Sequence, residues 1–528
     1  MGKNELVLLG DEAVALGAYH SGIHSAYAYP GTPSTEITEY LIELASKKND
    51  FIAKWSTNEK CAYEEALGVS FVNGRALVSF KHVGLNVAFD PFVNSAIVEV
   101  QGGLLVAVAD DPGMHSSQNE QDSRILAEFA FIPVLEPSNQ QQAYDMTRDG
   151  FEISEKYHLP LLLRLTTRVA HSRSNVEIYE KREKNKLKKV LDSKTWTLLP
   201  SNARVQFKKL LKKWDELRKL SEDIKYNELK LNGKIGVITC GIAKNYFEEV
   251  KNQIGENFSH LHIGFYPAPK EKIKKLYESV DKIYIIEEGY PFIEKYLNGL
   301  LGREKPIFGK ISKDLPLTGE LNPDFVLKLF NKKEKEELKA PIELPQRPPQ
   351  LCQGCPHSDM YYALNDALKE IGKESIVTSD IGCYTLGALP PYNSIESCVC
   401  MGASVSMAKG ASDAGFEPVI AVIGDSTFMH SGITPLLDAI EDNSNMTLII
   451  LDNSGVAMTG GQPTKTSSEG LKRILEGIGI PDGHLIFVEL HPQKIKETKD
   501  IILKEINYKG LSVIVGKRIC IEIAKKKK

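Results

Sequence analysis

The residues with the most chemical potential lie in IGDSTFMHSGITPLLDAIEDNSNMTLIILDNSGVAMTGGQ, residues 423–462. One apolar run ends in Gly424-Asp425-Ser426, a helical pattern follows, and a second apolar run ends in Asp452-Asn453. Strands joined through a helix run parallel, so both polar ends fall at the carboxyl edge of a sheet, where open α/β folds bind ligands. The Asp425 carboxylate and the Asn453 amide oxygen could hold one hard cation, with diphosphate oxygens completing its shell. Gly424 permits a tight turn, and Thr459-Gly460-Gly461-Gln462 can approach a phosphate closely. Two ordinary strand ends would also supply a Gly-Asp and an Asn; the spacing, the apolar second run and the glycine turn together favour the cation.

Cysteines form a second constellation. Cys352, Cys355, Cys383, Cys398 and Cys400 crowd together, whereas Cys61, Cys240 and Cys520 stand apart. Disulfides explain thiols poorly in a large intracellular chain, and clustering suggests metal ligation or redox chemistry. Cys352-Gln353-Gly354-Cys355 puts two thiolates within reach of one metal or cluster. Cys383 and Cys520 could supply two more, with Cys398 and Cys400 as rivals for the fourth place. Buried structural thiols are the plain alternative.

These motifs carry a family resemblance. Residues 423–462 are similar to the metal–diphosphate motif of thiamine-diphosphate enzymes, with Ser426 replacing its last glycine. That likeness implies magnesium held by the side chains of Asp425 and Asn453 and by the Gly455 carbonyl, with Gly424, Ser426, Thr459 and Gly460 around the cofactor. The cysteine set resembles the proximal cluster site of pyruvate:ferredoxin oxidoreductases, which implies a [4Fe–4S] cluster on Cys352, Cys355, Cys383 and Cys520.

Nearer the N-terminus, Tyr29-Pro30-Gly31-Thr32-Pro33-Ser34 resembles a turn of the 2-oxoacid:ferredoxin oxidoreductases whose threonine faces substrate, here Thr32. Trp55–Lys60 lies where that family carries the glutamate that activates thiamine, implying Glu59, with Glu64 and Glu65 as alternatives. Such a carboxyl must sit in a dry pocket with a tuned proton affinity. Polar loops Lys81–Asn86 and Asp110–Asp122 follow apolar runs and offer His82 and His115 as substrate contacts. His357 is a further candidate without an assigned role. With Asp380–Pro391 and Cys400–Ser404, which imply Gly382, Tyr384 and Gly402 at the cofactor, the chain resembles the α-subunit family of indolepyruvate ferredoxin oxidoreductases from about residue 5 to 520.

The resemblance implies ferredoxin-dependent oxidative decarboxylation of arylpyruvates to arylacetyl-CoA and CO2. It also implies a smaller β subunit in an α2β2 assembly, with ferredoxin, a 2-oxo acid and coenzyme A as partners. Many members end in a ferredoxin-like domain with further cysteine runs. This sequence carries none, so electrons are expected to leave to a separate carrier. An arginine that clamps the substrate carboxylate in related pyruvate enzymes has no secure counterpart; Gln118 and Arg124 are candidates. A different 2-oxo acid, a non-oxidative decarboxylase and a non-catalytic scaffold remain the alternatives.

The elements that must position these groups follow from patterning. Residues 1–175 alternate helical stretches with the runs 75–82, 102–111 and 159–167. Those runs are rich in Val and Leu without strict alternation, as parallel strands covered on both faces should be. This predicts a pyrimidine-binding α/β domain. Residues 176–230 form a basic helical insert with Leu210, Leu211, Trp214, Leu217 and Leu220 at helical spacing; its basic face is solvated or docks an acidic protein such as a ferredoxin. Residues 231–335, with runs at 235–240 and 281–289, form a smaller α/β domain. Residues 336–350 are a proline-rich linker, and 351–528 form a diphosphate-binding α/β domain ending in a basic tail, Lys525–Lys528, expected to be disordered. The fold class is therefore multidomain α/β: a thiamine-diphosphate-binding fold with two mainly parallel sheets and a smaller domain between them.

Composition excludes other classes. Of 528 residues, 42% are hydrophobic and 25% charged, the balance of an ordinary globular protein. A formal net charge of −4 gives no electrostatic case for nucleic acid. The N-terminus lacks the basic start and apolar core of a secretion signal, and no run of ~18 apolar residues occurs, so a cytoplasmic enzyme without a membrane span is expected.

Overall fold

The computed structural model describes residues 5–188, 193–299, 305–332, 350–466 and 468–526. Contacts divide the chain into two compact units, Met1–Leu338 and Lys339–Lys528. All of the expected 336–350 linker except Gln350 lies outside the described residues.

The first unit holds a seven-stranded sheet in the order Phe265–Tyr266, Val134–Leu135, Leu161–Thr166, Leu104–Asp110, Ala76–Lys81, Ser25–Ala28, Ile52–Trp55. Every pairing is parallel except that of the edge strand Phe265–Tyr266. Leu104–Asp110 and Leu161–Thr166 are buried along their whole length, as their unbroken apolar runs require. Arg164 is tolerated in that interior because Asp110 pairs with its Nε at 2.6 Å and Glu136 with its Nη1.

A second, five-stranded sheet runs Ile307–Phe308, Lys282–Ile286, Ile235–Cys240, Phe258–Ile263, Asn227–Lys230, parallel but for the last. Residues 1–175 and 231–335 thus each build a sheet, yet both belong to one compact unit. Phe265–Tyr266, from the later segment, completes the edge of the first sheet, and one apolar cluster spans both.

Helix Pro200–Asp223 crosses the basic stretch and buries Leu210, Trp214 and Leu217. Leu211 is not part of that stripe. It is 41% exposed, because a residue one step from Leu210 is carried ~100° around the helix.

In the second unit the sheet order is Ile376–Ser379, Val419–Gly424, Thr447–Asp452, Ser512–Lys517, Leu485–Glu489, all parallel. Two apolar clusters, one on each face, sandwich it. The expected disordered tail is corrected for two residues: Lys525 and Lys526 close the helix Ile521–Lys526, which buries Ile523. Residues 527–528 lie outside the described residues.

Candidate active site

Val419–Gly424 and Thr447–Asp452 lie side by side with Gly424 opposite Leu451, so their carboxyl ends emerge together. Asp425 opens the short helix Asp425–Thr427, and Asn453 enters the loop after the neighbouring strand. Both are buried. Asp425 Oδ2 accepts the Ser454 N–H at 3.1 Å, and Asn453 Oδ1 accepts the Gly455 N–H at 3.2 Å. Burial, then the Asp452 carboxylate beside it, push the Asp425 carboxyl up to about 8. The perturbation marks a buried acid with no opposing cation. An amide oxygen has two lone pairs, so Asn453 Oδ1 retains one after serving Gly455. A carboxylate short of positive charge at one strand end and an amide oxygen with spare capacity at the neighbouring one are the donor types that a hard divalent ion takes.

Ser426 is half-buried in the first turn after Asp425. Thr459 and Gly460 lie further along, where Gly460 has φ +125° and Gly461 +90°. Their polar groups are engaged within the loop and its neighbour: Thr459 Oγ1 donates to Gln462 Oε1 at 2.6 Å, and Lys526 Nζ to the Gly460 carbonyl at 2.6 Å. The structure draws neither into contact with Asp425.

Tyr384 covers the strand tip. A Cβ on Gly424 would stand 2.6 Å from its ring, and one on Gly382 would stand 2.3 Å from it, so both glycines are required by close approach. The Tyr384 hydroxyl donates to Asp380 Oδ1. Asp380 Oδ2 accepts from the Gly402 N–H at 3.2 Å and from Ser404 Oγ at 2.6 Å. Gly382, Tyr384 and Gly402 therefore share one organiser, Asp380, which burial holds up at about 6. Sequence reading quoted Asp380 only within its segment; an acid among Gly, Tyr and Ser was the available signal.

Four cysteines line a cavity of about 80 Å³, with His357 and Asn453 in its wall: Cys352, Cys355, Cys383 and Cys520. Cys355 caps helix Pro356–Ile371, Cys383 opens the turn Cys383–Ala388, and Cys520 precedes helix Ile521–Lys526. Burial, with the other thiols nearby, lifts Cys355 to about 11 and Cys383 to about 12. Cys398 and Cys400 are exposed and absent from that wall.

Among the described residues no three of these thiols come within 4.8 Å of one another. His357 is buried, its Nε2 takes Asn453 Nδ2 at 3.3 Å, and its Nδ1 has no partner. With Nε2 accepting, Nδ1 carries a hydrogen that a cluster sulfur in this cavity would satisfy. Burial and the Arg518 charge lower His357 to about 4, so the ring is neutral. The Cys520 N–H donates to the Asn453 carbonyl at 3.0 Å, which ties the cysteine cavity to the strand-tip pair.

In the first unit Thr32 lies in the turn between strand Ser25–Ala28 and helix Thr35–Lys48. Its carbonyl accepts from Ser116 Oγ at 3.1 Å. Glu59 opens helix Glu59–Phe71, capped by Asn58, whose side chain accepts the Cys61 N–H. Glu59 is 7% exposed, and a Cβ on Gly84 would meet its Oε1 at 2.7 Å. Glu64 and Glu65 are exposed and engaged, Glu64 by Lys60 and Glu65 by Ser56.

His82 is buried at the tip of strand Ala76–Lys81, with Nε2 3.2 Å from the Asn119 carbonyl and Nδ1 without a partner. His115 is exposed and 3.6 Å from Glu320. Gln118 is exposed. Arg124 is corrected as a carboxylate clamp. It is buried, it pairs with Asp122 at 2.5 Å and Glu287 at 3.2 Å, and it donates to the Glu288 carbonyl at 2.9 Å. Its guanidinium is fully engaged in the interior.

Sequence reading missed Lys81. Its Nζ donates to the Ser116 carbonyl, and its Cβ backs onto Gly31 beside Thr32. Burial lowers it to about 8. It is the cation of the Thr32–Ser116 neighbourhood, and the signal for it was a lysine at a strand's carboxyl end.

Comparison with known proteins gives the same outline. Residues 16–204 match the family profile described as pyruvate flavodoxin/ferredoxin oxidoreductase, thiamine diP-bdg. Residues 380–515 match thiamine pyrophosphate enzyme, C-terminal TPP binding domain. The chain is 36% identical to indolepyruvate oxidoreductase subunit IorA of Archaeoglobus fulgidus over 546 residues, covering 98% of this chain and 86% of that one. Against the subunit of the same name from Thermococcus kodakarensis the identity is 37%, with 98% and 86% covered. A solved 2-oxoglutarate:ferredoxin oxidoreductase from Magnetococcus marinus superposes with a TM-score of 0.49 at 16% identity, over 62% of this chain and 64% of that one.

Proposed function

This chain belongs to the family of indolepyruvate oxidoreductase IorA subunits, and on that premise we propose that it carries out ferredoxin-linked oxidative decarboxylation of an arylpyruvate, indolepyruvate above all, to the arylacetyl-CoA. A smaller β subunit and a separate ferredoxin are its expected partners, in an α2β2 assembly and a cytoplasmic setting. No helix among the described residues is long and apolar enough to cross a membrane.

The observation that carries this reading is the junction at Asn453. The next residue, Ser454, donates its N–H to Asp425, and the Asn453 carbonyl anchors Cys520 of the four-thiol cavity. Asp425, Asn453 and the Gly455 carbonyl would hold magnesium, and Cys352, Cys355, Cys383 and Cys520 a [4Fe–4S] cluster. Thiamine diphosphate, when bound, supplies the electron sink for decarboxylation, and the cluster a one-electron exit. The chain's own groups do the rest. Asp380 holds Tyr384 and Gly402 so that the strand tip stays closely packed. Glu59, kept dry against Gly84, would exchange a proton with the aminopyrimidine. Lys81 and Thr32 would orient the substrate carboxylate, and His82, with a bare Nδ1, would accept a proton or hydrogen bond.

The test is anaerobic purification with the β subunit and a panel of 2-oxo acids. Viologen reduction that needs both coenzyme A and indolepyruvate is expected. Aldehyde release without coenzyme A, or turnover of aliphatic 2-oxo acids alone, contradicts the proposal.

A further inference from the structure

A group of side chains outside this machinery is arranged for a metal. Asp11 sits in the first turn of helix Gly10–His20, Glu36 in the first turn of helix Thr35–Lys48, and His171 at the end of helix Thr167–His171. Close packing brings the three ends together: a Cβ on Gly10 would stand 2.1 Å from the Val169 carbonyl, so the first helix starts directly on the backbone of the third. Each residue offers a ligand atom, and the three atoms lie within 4.8 Å of one another, the one such trio among the described residues.

Asp11 is wholly buried, and neither of its carboxylate oxygens has a hydrogen-bond donor. The unpaired N–H groups of its own first turn do not serve it. Instead it faces a second carboxylate, Glu36, whose buried Oε2 stands 3.4 Å from His171 Nε2. Glu12 adds to the negative charge; it accepts the Leu9 N–H at 2.8 Å and pairs with Arg173 at 3.2 Å. An unpartnered buried carboxylate costs several kcal/mol unless a proton or a cation meets it.

We propose that Asp11, Glu36 and His171 bind a divalent transition cation of the zinc class. An imidazole among two carboxylates favours such an ion over magnesium or calcium. Zinc bonds of ~2.1 Å set neighbouring ligand atoms ~3.4 Å apart. His171 Nε2 and Glu36 Oε2 stand 3.4 Å apart. Their side chains are 34% and 37% exposed, which gives the ion an entry path and leaves its fourth position to water. The ion would clamp three helix ends together, and through Thr35, whose Oγ1 accepts the Gly31 N–H at 3.1 Å, it would brace the turn that carries Thr32.

The full-length chain, prepared anaerobically with its iron in place, is assayed for zinc alongside Asp11→Asn and His171→Gln. The wild type should hold one zinc more than either variant and melt higher when zinc is added, and each variant should bind that zinc at least ~100-fold more weakly. Zinc on cysteine thiols survives both substitutions and drops out of the difference. If Asp11→Asn fails to fold, His171→Gln, changed at the solvent side, still decides the matter. Equal zinc in all three proteins overturns the proposal. So does a melting temperature indifferent to zinc that rises on acidification, since that identifies a proton shared by Asp11 and Glu36.

Discussion

In the proposed function Glu59 and Lys81 would perform opposite tasks with the same physical resource, a dry environment. Glu59 is held against Gly84 at the start of a helix, where a carboxyl can exchange a proton without competition from water. Glu59→Gln keeps the shape and removes that capacity; kcat should fall by ~10²–10⁴-fold, the usual range for general acid–base catalysis, with the melting temperature unchanged. Lys81 is partly desolvated, so its ammonium gives way to the amine near pH 8. Below that pH it can attract a carboxylate, and above it the charge is gone. Accordingly kcat/KM for the 2-oxo acid should fall as pH rises through about 8. Lys81→Arg should flatten the fall, because guanidinium stays charged, and Lys81→Met should raise KM across the whole range. An unaltered pH profile in Lys81→Arg would remove the lysine from substrate recognition. Glu59 was legible in the sequence because a motif pointed to its place, although only burial separates it from Glu64 and Glu65. Lys81 was not singled out, and Arg124 was offered as a clamp, for one reason: whether a cation faces a cleft or an interior acid depends on the fold, not on neighbours in the chain.

At the level of elements, the site is a set of strand ends and the first turns that follow them. Val419–Gly424 and Thr447–Asp452 deliver Asp425 and Asn453, Ala76–Lys81 delivers Lys81 and His82, and helix Glu59–Phe71 delivers Glu59. These runs were readable because strands buried on both faces must be continuously apolar. What periodicity could not supply is the cross-linking between loops, such as Asp380 joining Tyr384 to Gly402 and Ser404. The contact of helix His82–Val87 with Glu59 gives a sharper test. Gly84→Ala places a methyl 2.7 Å from Glu59 Oε1, so the carboxyl must move while the helix does not. Activity should drop by ~10²-fold, the cost of displacing a reacting group by about an ångström, with little change in melting temperature. Equal losses of stability and activity would show that Gly84 serves packing instead.

On the scale of the molecule, the proposed chemistry draws on two compact units. The first presents Thr32, Glu59, Lys81 and His82 on one sheet; the second gathers Asp425, Asn453 and the thiol cavity on another. Sequence reading separated residues 231–335 from 1–175, but strand Phe265–Tyr266 adds to the earlier sheet and a shared core joins them, a long-range pairing that no local pattern encodes. The cysteine cavity is likewise assembled from four separate segments, and the exposed Cys398 and Cys400 do not line it. Cys520→Ser should lower iron content and the absorbance near 400 nm while leaving thiamine diphosphate bound, whereas Cys398→Ser should leave both intact. Iron retained in Cys520→Ser and lost in Cys398→Ser would reverse the ligand assignment.

The account rests most heavily on the two strand tips proposed to share a cation. Its most direct measurement is a titration of the purified chain with thiamine diphosphate, with and without magnesium, for the wild type and for Asp425→Ala and Asn453→Ala. Binding that requires magnesium in the wild type and is weakened at least ~100-fold in both variants, with folding preserved, is the predicted result. Undiminished, magnesium-independent binding in the variants would contradict it.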